Sequence, residues 1–141
     1  MLPHNATPAD IDQLAELGAA FHASVKPEWP WSEGCFRDTL STLLQIGHVT
    51  ISANGFMAGY SAAHPLNKDW IVAHEALWFA PDGDGPAHFR AFRKWAKDIG
   101  ANEIKWSCRA DNARVSRFYS RFARPTEVAY SEAMPCALAK S

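Results

Sequence analysis

In this chain of 141 residues, Tyr119 and Glu75 have the types and settings that suit proton transfer. Tyr119 stands at the edge of a helical stripe formed by Val115, Phe118 and Phe122. A hydroxyl there can hand a proton to a leaving group; a packed aromatic with its hydroxyl hydrogen-bonded fits the same pattern. Glu75 lies inside a mostly apolar run over residues 71–80. If that run is a buried strand, the carboxylate needs a partner or acquires a raised pKa, and a raised pKa suits a general base. If Glu75 faces an open side of the sheet, it is simply solvated. His74 must then point to the opposite face, because strand side chains alternate.

The same strand runs into Pro81-Asp82-Gly83-Asp84-Gly85-Pro86 and then into an amphipathic helix over residues 87–99. Small residues at Gly83, Gly85 and Ala87 let backbone N–H groups approach phosphate oxygens, and a helix N-terminus adds partial positive charge. From the glycines alone, a plain strand-to-helix connection is the simpler reading. Asp82 and Asp84 favour it, since carboxylates repel a diphosphate. Arg90, Arg93 and Lys94 either compensate or form a solvated helix face.

No other nucleophilic or metal motif is present. The six histidines and three cysteines lack metal spacing, so each histidine is read as a lone core or surface residue. Cys35, Cys108 and Cys136 suit free thiols in a reducing compartment. There is no Gly-x-Ser-x-Gly element and no phosphate-binding loop with its lysine. The formal net charge of −1 gives no long-range attraction for nucleic acid or an anionic membrane. No apolar run approaches the roughly 20 residues of a membrane span, and the N-terminus lacks a signal-peptide core, so a cytoplasmic location is expected. Six tryptophans are many for this length and should in part line a pocket or partner surface.

The elements that must position these residues follow from local signals. Thr7-Pro8-Ala9-Asp10 starts a helix that runs to about Val25. The loop 26–31, with Pro27 and Pro30, carries Trp29 and Trp31. Ser32 caps a second helix, with Phe36, Leu40, Leu43, Leu44 and Ile46 inward, ending at Gly47. Residues 48–52 and 56–63 form a hairpin about Asn54-Gly55. After a loop around Pro65, Asn67 and Asp69, the strand 71–80 should be central and buried on both faces. In the helix 87–99, Phe89, Phe92, Trp95, Ala96 and Ile99 face inward. A strand over 103–108 completes a parallel βαβ unit. Asp111 or Asn112 caps a helix over 113–122, and 127–134 is a last strand, whose unpaired edge would favour a homodimer. The whole is one α/β domain with a mixed sheet.

Together these features resemble the GNAT superfamily of N-acetyltransferases over nearly the whole chain. Three segments carry the likeness. Ala6-Thr7-Pro8-Ala9-Asp10-Ile11 is similar to the family's first-helix entry. His74-Glu75-Ala76-Leu77-Trp78-Phe79-Ala80-Pro81 through Gly100-Ala101 follows its acetyl-CoA-binding strand, turn and helix. Asn112-Ala113-Arg114-Val115-Ser116-Arg117-Phe118-Tyr119 matches its asparagine-to-tyrosine helix. The short, Trp-rich style is similar to acetyltransferase-like proteins of phages, whose setting would be the host cytoplasm.

The resemblance implies a single domain over residues 1–141, of α/β (α+β) class, with about four helices and a splay between two parallel strands. It implies transfer of an acetyl group from acetyl-CoA to a primary amine, on a small molecule or a macromolecule. Phe79 would lie where the pantetheine arm meets strand backbone, with Gly83, Gly85, Ala87 and Asn112 also at the cofactor. Tyr119 would protonate the departing thiolate, Glu75 would serve as base directly or through water, and Trp29 and Trp31 would flank the acceptor. The family's turn usually reads Arg/Gln-x-x-Gly-x-Gly/Ala; aligned on Asp84, Ala87 and Phe89, it has lost its basic residue and its glycines. The Gly-Phe that normally follows the tyrosine helix is Ala123-Arg124. Two other readings follow from that degenerate turn: altered chemistry on the same fold, such as nucleobase modification in phages, or a non-catalytic binding module.

Overall fold

The computed structural model describes residues 2–134. They group into a first unit ending at Ser107 and a second beginning at Cys108. The first unit opens with β1 (His4–Asn5), a two-residue edge strand on β2 that sequence periodicity is too short to reveal. Thr7 then caps a 3-10 turn over Pro8–Asp10, with its N–H bonded to the Asp10 carboxylate at 2.8 Å. This reciprocal capping and Pro8 lead directly into α1 (Ile11–Val25). Lys26 ends α1 in the left-handed conformation, at φ 48°, ahead of Pro27.

Helix α2 (Glu33–Ile46) starts as expected, with Ser32 Oγ accepting from the Cys35 N–H at 3.3 Å. It buries Leu40 and Leu43, with Phe36 and Leu44 packed beside them. Ile46, expected inward, is 67% exposed because it is the last residue of the helix and overhangs the core. Ile99 is likewise exposed at the end of its helix.

Strands β2 (His48–Ile51) and β3 (Phe56–His64) form the expected hairpin, with Ile51 opposite Phe56. The Ser52 N–H bonds to the Gly55 carbonyl, so Ala53 and Asn54 make the tip, and neither has a positive φ. Gly55 is required for space instead. A Cβ there would lie 2.8 Å from the Phe79 carbonyl oxygen.

The next strand differs from expectation. β4 (Asn67–Phe79) begins at Asn67 and absorbs Asp69, both expected in a loop. Its long antiparallel ladder with β3, from His64/Asn67 to Phe56/Phe79, overrides their weak strand propensity. Nor is it buried throughout: Val72, Ala73 and Glu75 are buried, while residues 67–70 are exposed. The helices cover only part of the strand. Helix α3 (Gly85–Asp98) begins two residues before the expected start, and β5 (Glu103–Lys105) pairs parallel with β4, completing the βαβ unit.

The sheet order is β1-β2-β3-β4-β5, antiparallel except for the last pair. Leu14, Leu17, Leu40 and Leu43 from α1 and α2 pack on Val49, Ile51, Phe56 and Ala58 on one face. On the other face, Phe92 and Ala96 of α3 pack on Met57 and Ala73.

In the second unit Asn112, not Asp111, is the N-cap of α4 (Ala113–Tyr119), accepting the Val115 N–H at 3.1 Å. The helix stops three residues before the expected Phe122. The expected strand over 127–134 does not form: these residues pair with no strand, and Val128 and Tyr130 are 75% and 93% exposed. The unpaired edge expected from such a strand is therefore not found among the described residues. Cys136 lies outside the described residues; Cys35 is a free thiol, and Cys35 and Cys108 are both exposed. Among the described residues, no helix is long and apolar enough to cross a membrane.

Candidate functional site at the end of strand β4

Strand β4 does not alternate evenly. Leu77 pairs with Ala58 and Glu75 pairs with Gly59, leaving Ala76 as an extra residue, a β-bulge. Without it, residues 75, 77 and 79 would share one face. With it, Leu77 and Phe79 join the core under α1 and α2, while Glu75 turns to the α3 face opposite Gly59. Gly59 permits this, because a Cβ there would run into the Phe92 ring and the His74 carbonyl. His74 points the other way, as expected, and stacks on Tyr60 with ring centroids 5.0 Å apart.

Glu75 is buried and accepts a hydrogen bond from the Ser107 hydroxyl at 3.1 Å. This resolves the alternatives left by the sequence: the carboxylate is neither solvated nor unpartnered. Ser107 follows β5, whose backbone ladder with β4 ends at His74/Lys105. Strand β4 runs on to Phe79, still paired to β3. The two parallel strands therefore share a ladder only over Val72, Ala73 and His74, and the pairing ends before Glu75, which the Ser107 hydroxyl reaches from beyond β5.

Beyond Phe79, the turn reaches Gly83, whose φ of 84° needs glycine and which has open space around it. Asp82 accepts from the Asn54 side-chain amide of the β2–β3 hairpin. Asp84 is the N-cap of α3, and one of its carboxylate oxygens, Oδ1, is buried without a hydrogen-bond partner. Gly85, the first helical residue, is buried under Trp78; a Cβ would lie 2.9 Å from the indole. Pro86 has no N–H to offer, and the N–H groups of Ala87 and His88 bond to the Asp84 carbonyl. Gly85 and Ala87 thus fall in the first turn of α3, and both acids of the turn, Asp82 and Asp84, precede it.

Next to this turn lies a polar network that sequence reading missed. His88 is fully buried on α3. Its Nδ1 is 2.8 Å from Thr50 Oγ1 and its Nε2 3.2 Å from Ser52 Oγ, both buried hydroxyls of the β2 strand and hairpin. Ser52 donates to the Gly55 carbonyl, so it accepts from His88; His88 therefore carries its proton on Nε2 and accepts from Thr50. Burial holds its pKa below the ordinary histidine value, against the opposing pull of Asp84 at 3.6 Å. His48, stacked on Trp95, is lowered to about 4, first by burial and then by His88. The available signal was the spacing Asp84–His88, one helical turn apart at a helix start.

The remaining expected site residues are distributed elsewhere. Trp29 and Trp31 fasten their loop to the helices. Trp29 sits edge-on to His22 at 4.7 Å, and its carbonyl accepts from His22 Nε2; Trp31 packs on Phe36. Trp31 is linked to Phe79 through the rings of Phe36 and Phe56 in succession. Glu75 and Phe79 lie on β4 but on opposite faces of the sheet, Gly83 lies in the turn, and Gly85 and Ala87 lie in the first turn of α3. Asn112 and Tyr119 belong to the second unit, where Asn112 caps α4 and Tyr119 is its buried residue. Among the described residues, no group of three His, Cys, Asp or Glu side chains could hold a metal ion.

No family model and no curated protein matches the chain. Solved structures do match in fold. A "probable acetyltransferase" aligns with TM-score 0.74 at 15% identity, over 96% of this chain and 97% of its own. An aminoglycoside acetyltransferase from an uncultured soil metagenomic sample, in complex with sisomicin, aligns with TM-score 0.69 at 14% identity, covering 94% and 95%. The ribosomal-protein-alanine N-acetyltransferase of Brucella melitensis aligns with TM-score 0.67 at 11% identity, covering 94% and 96%. The chain has the fold of these acetyltransferases, with a five-stranded mixed sheet and four helices.

Proposed function

We propose that the protein transfers an acetyl group from acetyl-CoA to a primary amine. The observation that carries this reading is the early end of the β4–β5 pairing at His74/Lys105, after which β4 continues past the Ala76 bulge to a turn and the N-terminus of α3. The backbone of Ala76, Leu77 and Phe79 runs past the end of the β4–β5 ladder and is suited to the amide groups of a pantetheine arm. Bound acetyl-CoA supplies an activated thioester. Glu75, buried and bonded to Ser107, is placed to take the proton of an ammonium group through water. Tyr119 is the proposed proton donor to the departing thiolate, and Asn112 a proposed cofactor contact. The amine nitrogen forms its bond to the carbonyl carbon as the carbon–sulfur bond breaks.

One structural neighbour is a ribosomal-protein-alanine N-acetyltransferase and another an aminoglycoside acetyltransferase, and the N-acetylation named for the first supports an amine acceptor. Incubation with acetyl-CoA and a panel of primary amines should release free thiol in proportion to acetylated product. Tyr119→Phe should lower turnover at least about tenfold with the cofactor's Kd unchanged. Unchanged turnover would remove Tyr119 from the acid role. Failure of acetyl-CoA to raise the melting temperature would favour a non-catalytic binding module instead.

A further inference from the structure

The turn between β4 and α3 is arranged against an anion. We infer that the protein recognises its donor as a pantetheine thioester and gains no affinity from the nucleotide diphosphate; the inference rests on the donor reading above. Four observations converge. First, the turn and helix start over residues 80–89 have no lysine or arginine, but carry Asp82 and Asp84. Second, the first turn of α3 offers few donors: Pro86 has none, and those of Ala87 and His88 are bonded to the Asp84 carbonyl.

Third, the helix N-terminus already holds a carboxylate. Asp84 Oδ1 is buried there without a partner, so it calls for an N–H or O–H donor and repels phosphate. Fourth, two of the basic residues of α3 that could offset these acids are engaged elsewhere. The Arg93 guanidinium lies over the Phe89 ring at 5.7 Å, and Lys94 is paired with Asp98 at 2.9 Å. Gly85 does not open an approach for phosphate either, because its missing side chain seats the helix on Trp78. The pantetheine arm, by contrast, brings amide N–H and hydroxyl donors and no charge.

The test compares S-acetylpantetheine with acetyl-CoA on the full chain by calorimetry and by thermal shift. The two dissociation constants should agree within about threefold, with little dependence on salt, because no phosphate is neutralised. Replacing the exposed acid of the turn, Asp82→Asn, should tighten acetyl-CoA about threefold and leave S-acetylpantetheine unchanged. Acetyl-CoA binding about tenfold or more tighter than S-acetylpantetheine in the unaltered protein would overturn this inference while leaving the donor reading intact. Binding of neither thioester would overturn the donor reading itself.

Discussion

The face of the sheet under α1 and α2 is lined by Val49, Ile51, Phe56 and Ala58, whereas the face under α3 carries His48, Thr50, Ser52 and Glu75. Both faces are covered by helix, but they are held together differently. The first gains from removal of apolar surface, which is insensitive to direction and tolerant of small shifts. The second has an apolar cluster of its own, Met57, Ala73, Phe92 and Ala96, but adds buried polar pairs: Thr50 and Ser52 with His88, and Glu75 with Ser107. Its stability therefore depends on geometry and on pH, and it is the face to which the bulge turns Glu75. The candidate chemistry sits on the less forgiving side of the sheet.

The largest effect should come from the apolar face. Phe56 is fully buried, with rings of Phe21, Phe36 and Phe79 around it. Phe56→Ala should cost about 3–5 kcal/mol in denaturant unfolding, with no change in its pH profile. A loss under about 1 kcal/mol would mean that this face is not the main core.

A smaller loss is expected on the polar face. His88→Ala should cost about 2–3 kcal/mol, because it strands two buried hydroxyls. Adding Thr50→Val and Ser52→Ala should recover part of that loss; no recovery would show that packing, not hydrogen bonding, accounts for it.

The third effect is a slope and belongs to the α3 face alone. Burial holds His48 and His88 below the ordinary value of 6.5, so the unfolded chain binds their protons first. Their stabilisation is complete above pH 6.5 and is lost as pH falls toward about 4 for His48. His48 should contribute a slope of up to about 1.4 kcal/mol per pH unit in that window, and His88 adds to it with the same sign. His48→Leu should remove one share of the slope, read from unfolding curves on either side of it. An unaltered acid limb in that variant would take His48 out of the account.

Much of this architecture was legible because its causes are local. The Thr7-Pro8-Ala9-Asp10 entry, the Ser32 and Asn112 caps and the Gly47 and Gly100 stops each depend on residues within a turn of one another. The hairpin at 52–55 was located by its residues, although Gly55 serves close approach rather than turn conformation. Misreadings arose where pairing or helix cover decided the outcome. Asn67 and Asp69 became strand because β3 lies beside them, whereas the alternation over 127–134 carries no strand. Ile46 and Ile99 fit the apolar stripe of their helices but fall at helix ends the core does not reach.

The candidate site divides along the same line. The sequence by itself determined that Glu75 lies in an apolar strand leading to an acidic, glycine-containing turn, and that α3 follows. Those are properties of neighbours along the chain. It could not determine which face Glu75 uses. That was decided by the extra residue at Ala76, which exists only relative to the register of β3, and by the space left at Gly59 beneath Phe92. Nor could it show that His88 would find Thr50 and Ser52, more than thirty residues earlier in the chain. Side-chain partners across a sheet are fixed by strand register and by where the helix lands, and both are set only when the elements pack.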